Sequence, residues 1–308
     1  MNTDIDRLSG SAPLEDAIRA VIQSQGPMPF SRFMEWALYA PGLGYYEGQR
    51  PIGRQGDFYT SVSVGSLFGR LLARKFVAWI EENPTSPVQW IEAGAHQGDL
   101  AADILEWFRT EKPALYSRLQ YLIIEPSLQR QEWQRARLKG FEDKVRWMAA
   151  LPGARTVDGV IFSNELLDAM PFDRLRWNAA KRLWEEWRVG WFEGRFAWVV
   201  DGMREELLAL APKVPSELAA VLPDGYTVEV SGAALDWWRT AALALRTGRL
   251  IAFDYGYGAE EQFAVHRLRG TARSYCRHQV SEDVLSHPGA RDITAHVDFG
   301  AIQVVGDS

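Results

Sequence analysis

Three short segments hold most of the residues that could do chemistry: Glu92-Ala93-Gly94-Ala95-His96-Gln97-Gly98-Asp99, Ile123-Ile124-Glu125-Pro126, and Ser163-Asn164-Glu165-Leu166-Leu167-Asp168-Ala169-Met170-Pro171. Glycines at 94 and 98 let backbone approach a ligand, and a helix starting there would offer unpaired N–H groups. Glu125, at the end of an apolar run, can accept two hydrogen bonds from a ribose diol; a solvated or capping carboxylate is the plain alternative. Asn164, Glu165 and Asp168 bring an amide and two carboxylates to one place, which suits the orientation of a cation or polar donor. A fourth segment, Asp254-Tyr255-Gly256-Tyr257-Gly258, again sets glycines for close approach. No G-x-G-x-x-G is present, so the dinucleotide pyrophosphate fingerprint is missing and a nicotinamide oxidoreductase is disfavoured.

Each segment follows or ends an apolar run of strand length: VQWIEAGA (88–95), YLIIEPS (121–127), VDGVIFSNE (157–165) and RLIAFDYG (249–256), with VRWMAA (145–150) as a fifth. Helix-periodic stretches at 99–110, 127–140 and 233–248 lie between them. Strand and helix in alternation predict an α/β fold, a mostly parallel sheet with helices on both faces, and ligands in such sheets sit outside the carboxyl ends of the strands. Upstream, PLEDAIRAVIQSQ (13–25), PFSRFMEWALYA (29–40) and residues 65–82 carry helical stripes, separated by the glycine- and proline-rich run 41–56, which reads as a long functional loop. The division expected is a helical extension with a lid-like loop over 1–86 and a core over 87–308. Residues 172–202 alternate apolar and polar side chains between turn signals and predict an antiparallel insertion. It holds five of the 13 tryptophans, which either anchor that small sheet or wall an active site.

The chain has 308 residues, 47% hydrophobic and 24% charged, enough for a substantial core. Its 34 basic and 40 acidic residues leave a net charge of −6, which disfavours nucleic acid as the main partner. One cysteine, Cys276, points to a reducing compartment, the cytoplasm by default. The polar start MNTDIDRLSG lacks a secretory pattern, and no run of 18 apolar residues suggests a membrane span. No metal is expected, because His278 near Cys276 and His296 beside Asp298 lack ligand spacing. His96 could touch a ligand or cap the helix after it. The basic residues Arg130, Arg135, Arg137 and Lys139 read as a solvated helix face.

A glycine loop, a ribose-type acid and an Asn-Glu strand end, in this order, fit an S-adenosyl-L-methionine site better than a dinucleotide site. The blocks PFSRFMEWALYAPGLGYY, GRQGDFYTSVSVGSLFG, SNELLDAMPFDRL, IAFDYGYG and RDITAHVDF, within residues 14–306, resemble the MidA-like methyltransferases. The resemblance implies a class I Rossmann-like methyltransferase fold, S-adenosyl-L-methionine as cofactor, and a protein side chain such as arginine as methyl acceptor. Carried over by position, Glu92, Gly94 and Gly98 would hold the methionine portion and Glu125 the ribose. Asn164 and Glu165 would lie at the methyl-transfer centre with Asp168 as a second acceptor, while Gly56, Asp57, Phe58 and Thr60 would form a lid over the cofactor.

Three departures stand out. The family's first loop has the form Gly-Pro-Gly-x-Gly where this chain has Gly94-Ala95-His96-Gln97-Gly98, and a Pro-Glu pair is replaced by residues within Ser61-Val62-Ser63-Val64-Gly65. The sequence also stops soon after the RDITAHVDF block, so the last strands of the sheet are expected to be missing. These departures keep open the alternative of a weakly active or inactive methyltransferase-fold protein that serves assembly or binding.

Overall fold

A computed structural model describes residues 12–48, 65–82 and 88–307 of the chain. In chain order, α1 (Ala12–Gln25), the short β1 (Met28–Pro29) and α2 (Phe30–Tyr39) open the fold. Leu14, Ile18 and Ile22 form the buried stripe of α1, one turn apart, and Gly26 stops it in the left-handed region at φ +85°. Phe30, Phe33, Met34, Ala37 and Leu38 form the buried stripe of α2. Then follow α3 (Leu67–Glu82), β2 (Val88–Ala93), α4 (Asp99–Glu111), α5 (Pro113–Arg118), β3 (Leu119–Ile124), α6 (Leu128–Arg137), β4 (Val145–Met148) and β5 (Val157–Asn164). An antiparallel stretch comes next: β6 (Asp173–Asn178), β7 (Leu183–Phe192), β8 (Arg195–Asp201), the single turns α7 (Glu205–Leu208) and α8 (Ser216–Ala219), and β9 (Thr227–Val230). The chain continues with α9 (Gly232–Ala244), β10 (Leu245–Phe253), β11 (Gly256–Tyr257), β12 (Arg273–Cys276), β13 (Gln279–Ser281), β14 (Asp292–Thr294), β15 (Val297–Asp298) and α10 (Phe299–Gly306).

These elements divide into two compact units, one of Pro51–Leu167 with Trp237–Asp254 and one of Met1–Arg50, Asp168–Asp236 and Tyr255–Ser308. The first is the parallel unit. Its sheet has the order β10-β5-β2-β3-β4, every neighbour parallel. Helices α3 and α4 cover one face, where Phe76, Ile104 and Phe108 pack on Trp90, Tyr121 and Phe162. Helix α9 covers the other, setting Ala241 and Ala244 against Ile91, Ile124 and Ile161. Burial on both faces explains why these strands are nearly continuous apolar runs. The expected helix over 233–248 ends early: residues 245–248 join β10, because pairing with β5 begins at Leu245 opposite Val157 and Arg246 bonds the Asp158 carboxylate.

The second unit is antiparallel. Its main sheet runs β1-β7-β6-β9, with β8 also on β7. The β7–β8 turn is Glu193-Gly194, both residues at positive φ, as a two-residue hairpin turn requires. The insertion is larger than its tryptophan-rich part, since β9 pairs with β6 well beyond residue 202. The N-terminal helices belong here too: Phe30 lies 4.9 Å from Trp198 and 5.3 Å from Phe172, ring centre to ring centre. Trp177 and Trp184 meet edge to face at 5.2 Å in a core with Leu207, Leu222 and Tyr226. Trp187 stands beside Trp198, and Trp191 beside Phe196. The five tryptophans therefore have packing partners within this sheet and its helices.

Candidate cofactor site

In the parallel sheet, β2 is flanked by β3 on one side and β5 on the other, so successive connections leave it in opposite directions. Such a reversal opens a crevice at the carboxyl ends of the two central strands, and the ends of β2 and β5 are two of the segments the sequence singled out. The loop after β2 is built from left-handed backbone, with Gly94 at φ +77°, His96 at +46° and Gly98 at +91°. His96 occupies that region without being glycine, at a cost of roughly 1–2 kcal/mol. The left-handed geometry suited to glycine thus persists where a histidine stands. Burial, with Arg130 nearby, pushes the imidazole down to about 4 against the opposing pull of Asp99, so His96 is uncharged at neutral pH. Gly98 leads directly into α4, whose first turn presents N–H groups to the crevice end of the sheet.

Glu125 ends β3 and is buried, with 3% of its surface exposed. Its Oε1 accepts from the Ser127 N–H at 2.9 Å and from Arg130 through Nε at 2.9 Å and Nη2 at 2.8 Å. Its Oε2 accepts from Gln134 Nε2 at 3.2 Å, the sole partner of that oxygen among the described residues. Gln134 is fully buried, and its Nε2 also donates to the His96 carbonyl at 2.9 Å, while its Oε1 accepts from Trp147 Nε1 at 2.8 Å. Arg130, expected on a solvated face, instead holds Glu125, and Arg135 stacks over Trp147 at 4.0 Å. Gln134 and Trp147 were not singled out from sequence. The usable signal was the spacing of Arg130 and Gln134, one helical turn apart on α6 and so on the face turned to Glu125.

Glu92 lies inside the sheet, 2% exposed, its Oε2 accepting from the Tyr121 hydroxyl at 2.6 Å. Burial raises its carboxyl to about 7, and the tyrosine hydrogen bond opposes the rise. On β5, Asn164 shares a sheet face with Phe162, which stands in register with Glu92. Glu165 follows at φ +49°, its N–H donating to the Phe253 carbonyl at 2.8 Å. The Leu167 N–H donates to Asp254 Oδ2 at 2.9 Å, so the end of β10 braces the Glu165 turn from both sides. The buried Ser163 hydroxyl has no hydrogen-bond partner among the described residues. Two non-glycine residues in left-handed backbone, His96 and Glu165, therefore end the two strands at the reversal, and strain of this kind gathers at functional sites.

The structure brings Glu92, Gly94, Gly98, Glu125, Asn164 and Glu165 to the carboxyl ends of one sheet. Asp168 falls in the antiparallel unit, where it is buried, its carbonyl accepting from the Ala295 N–H at 3.0 Å. Nearby, Tyr46 donates to Asp292 Oδ1 at 2.8 Å, Tyr39 to the Ala169 carbonyl at 2.8 Å, and Tyr255 to Thr294 Oγ1 at 2.7 Å. Burial and the carboxylates around them hold the Tyr46 and Tyr255 hydroxyls well above the usual range, so both are donors. Gly56, Asp57, Phe58 and Thr60 lie outside the described residues. Among the described residues no group of three His, Cys, Asp or Glu side chains could hold a metal ion.

The crevice fits an adenosyl cofactor. Gly94 is exposed, the unpaired N–H groups of the first turn of α4 could receive an anionic group, and Glu125 Oε2 keeps acceptor capacity for a hydroxyl. The sequence model of a family of S-adenosyl-L-methionine-dependent methyltransferases matches residues 71–308. A protein of Burkholderia thailandensis crystallised with S-adenosyl-homocysteine is 34% identical, with a TM-score of 0.83 over 98% of this chain and 77% of that one. The mitochondrial protein arginine methyltransferase NDUFAF7 homolog of Drosophila melanogaster is 26% identical over 97% of this chain and 71% of its own length. The human mitochondrial protein arginine methyltransferase NDUFAF7 is 24% identical over 96% of this chain and 70% of its own.

Proposed function

Because the chain belongs to the MidA-like S-adenosyl-L-methionine-dependent methyltransferases, we propose that its methyl acceptor is a protein side chain, arginine in particular. It is a methyltransferase of the class I fold, and S-adenosyl-L-methionine is its cofactor. Bound there, the cofactor supplies an electrophilic methyl group on a sulfonium, with S-adenosyl-homocysteine as the product left behind. Attack on such a carbon needs positioning and exclusion of water more than acid–base groups.

The observation that carries the reading is Glu165, a carboxylate on a strained turn at the end of β5, held by its N–H bond to the Phe253 carbonyl of β10 and by the Leu167 N–H bond to the Asp254 carboxylate just beyond it. A carboxylate so placed can pair bidentately with a guanidinium and keep electron density on the attacking nitrogen. Asn164 would orient the acceptor from the same strand end. Gly94, Gly98 and the first turn of α4 would receive the carboxylate end of the cofactor, with Glu92 beneath the loop and Glu125 on the ribose. The protein arginine methyltransferases among the relatives support arginine. They are mitochondrial by name, whereas the lone Cys276 supports a reducing compartment such as the cytoplasm for this chain.

The test is mass spectrometry of a protein lysate incubated with the chain and isotopically labelled S-adenosyl-L-methionine. Labelled arginine is expected, and label confined to lysine or to small molecules would overturn the assignment. Glu165→Gln should abolish labelling while leaving calorimetric affinity for S-adenosyl-homocysteine within about twofold, the mark of an interaction with the acceptor alone. Undiminished labelling would remove Glu165 from the reaction. A folded chain that binds the cofactor and labels nothing would favour the binding or assembly role.

A further inference from the structure

The amide of Gln134 joins two parts of the site that are separate in the sequence, the His96 carbonyl, 38 residues before it, and the Glu125 carboxylate, 9 residues before it. Its orientation is fixed chemically. An indole N–H can only donate, so the atom facing Trp147 Nε1 must be the amide oxygen, and the amide nitrogen must then face the two acceptors on the other side. Both acceptors need that donor. The His96 carbonyl belongs to a left-handed residue in the loop that starts α4, and Glu125 Oε2 has Gln134 as its partner while Oε1 is taken up by Ser127 and Arg130. Gln134 has no exposed surface, so water does not replace these bonds.

We propose that Gln134, oriented by Trp147, is a positioning residue that locks the glycine loop to the ribose-binding carboxylate, so that cofactor affinity and ribose recognition are set together. This rests on Glu125 being the ribose acceptor. With Oε1 saturated, a ribose hydroxyl must bond Oε2, and the direction in which Oε2 presents its second lone pair depends on where Gln134 holds it. The same amide fixes the His96 carbonyl, and through it the loop whose backbone faces the amino-acid end of the cofactor. Neither a helix propensity nor a packing need calls for glutamine at this buried place. A methionine would fill the volume without bonding any of the three partners.

The experiment compares Gln134→Met and Trp147→Phe with the unsubstituted chain in calorimetric titrations of S-adenosyl-homocysteine and of its analogue lacking both ribose hydroxyls. The unsubstituted chain is expected to prefer the natural ligand. In Gln134→Met its affinity should fall about 10- to 100-fold, and that for the analogue less, so the preference narrows. Trp147→Phe keeps Gln134 and the ring packing but frees the amide to turn, and should narrow the preference by about threefold. A variant that is folded by circular dichroism and keeps the full preference overturns the proposal, because a packing role would weaken both ligands equally. If the unsubstituted chain binds both ligands alike, Glu125 is not the ribose acceptor and that reading falls first.

Discussion

At the scale of single residues, the candidate site holds a buried and a half-buried group, Glu92 and His96, whose titrations oppose each other. Glu92 is raised to about 7 from an ordinary 4.5, so the folded chain binds more protons than the unfolded one between those values. Its favourable contribution is complete below about pH 4.5 and is lost as pH rises through 7. His96 is lowered to about 4 from 6.5, so across its own window stability rises with pH. Glu92→Gln keeps an acceptor for the Tyr121 hydroxyl and removes one of the two titrations. Its stability relative to the unsubstituted chain should therefore improve between pH 5 and pH 8 by up to about 3 kcal/mol, with urea unfolding at both pH values as the measurement. A difference independent of pH would mean that Glu92 ionises normally. The types of these residues were legible in the sequence, since acids and glycines after apolar runs stand out. Their partners were not: Tyr121 and Gln134 meet Glu92 and Glu125 only through strand pairing and helix packing, which no local spacing encodes.

At the scale of elements, the parallel strands and their helices were legible because burial on both faces leaves unbroken apolar runs. What escaped was set by pairing. Residues 245–248 have helix-compatible neighbours yet extend β10, and β9 becomes a strand because β6 offers it an open edge. The loop after β2 shows how far one element can carry a site, since its backbone must be left-handed at three positions for α4 to start where it does. Gly98→Ala separates backbone from bulk: an added Cβ would come no nearer than 3.5 Å to Leu138, so the strain lies in φ alone. Gly140→Ala is the control, with φ +98° and no atom within 4 Å. Both substitutions should cost about 1–2 kcal/mol in thermal or urea unfolding, and Gly98→Ala alone should weaken S-adenosyl-homocysteine binding, by roughly tenfold in calorimetry. Equal affinity in the two variants would detach the loop from the cofactor.

At the scale of the whole molecule, sequence order conceals how the blocks assemble. PFSRFMEWALYAPGLGYY and RDITAHVDF stand some 250 residues apart, yet Tyr46 of the first bonds Asp292 of the second, within one unit. Periodicity could not show this, because each block is a sound local element whichever partner it has. Charge acts at this scale as well. The chain carries a formal −6, with 40 acidic against 34 basic residues, a sign that repels phosphate backbones and attracts arginine-bearing segments. If the acceptor is arginine in a basic protein segment, encounter should be steered by this charge and screened by salt, the Debye length being about 10 Å at 0.1 M and 3 Å at 1 M. Raising sodium chloride from 0.05 to 0.5 M should then lower kcat/KM for such a substrate by about tenfold and leave kcat nearly unchanged, since screening acts on approach rather than on the bound complex. Affinity for S-adenosyl-homocysteine, a zwitterion, should shift far less over the same range. A kcat/KM that holds steady or rises with salt would point to an acceptor recognised through apolar or neutral surface, and would separate the guanidinium pairing proposed for Glu165 from any role of the molecule's net charge.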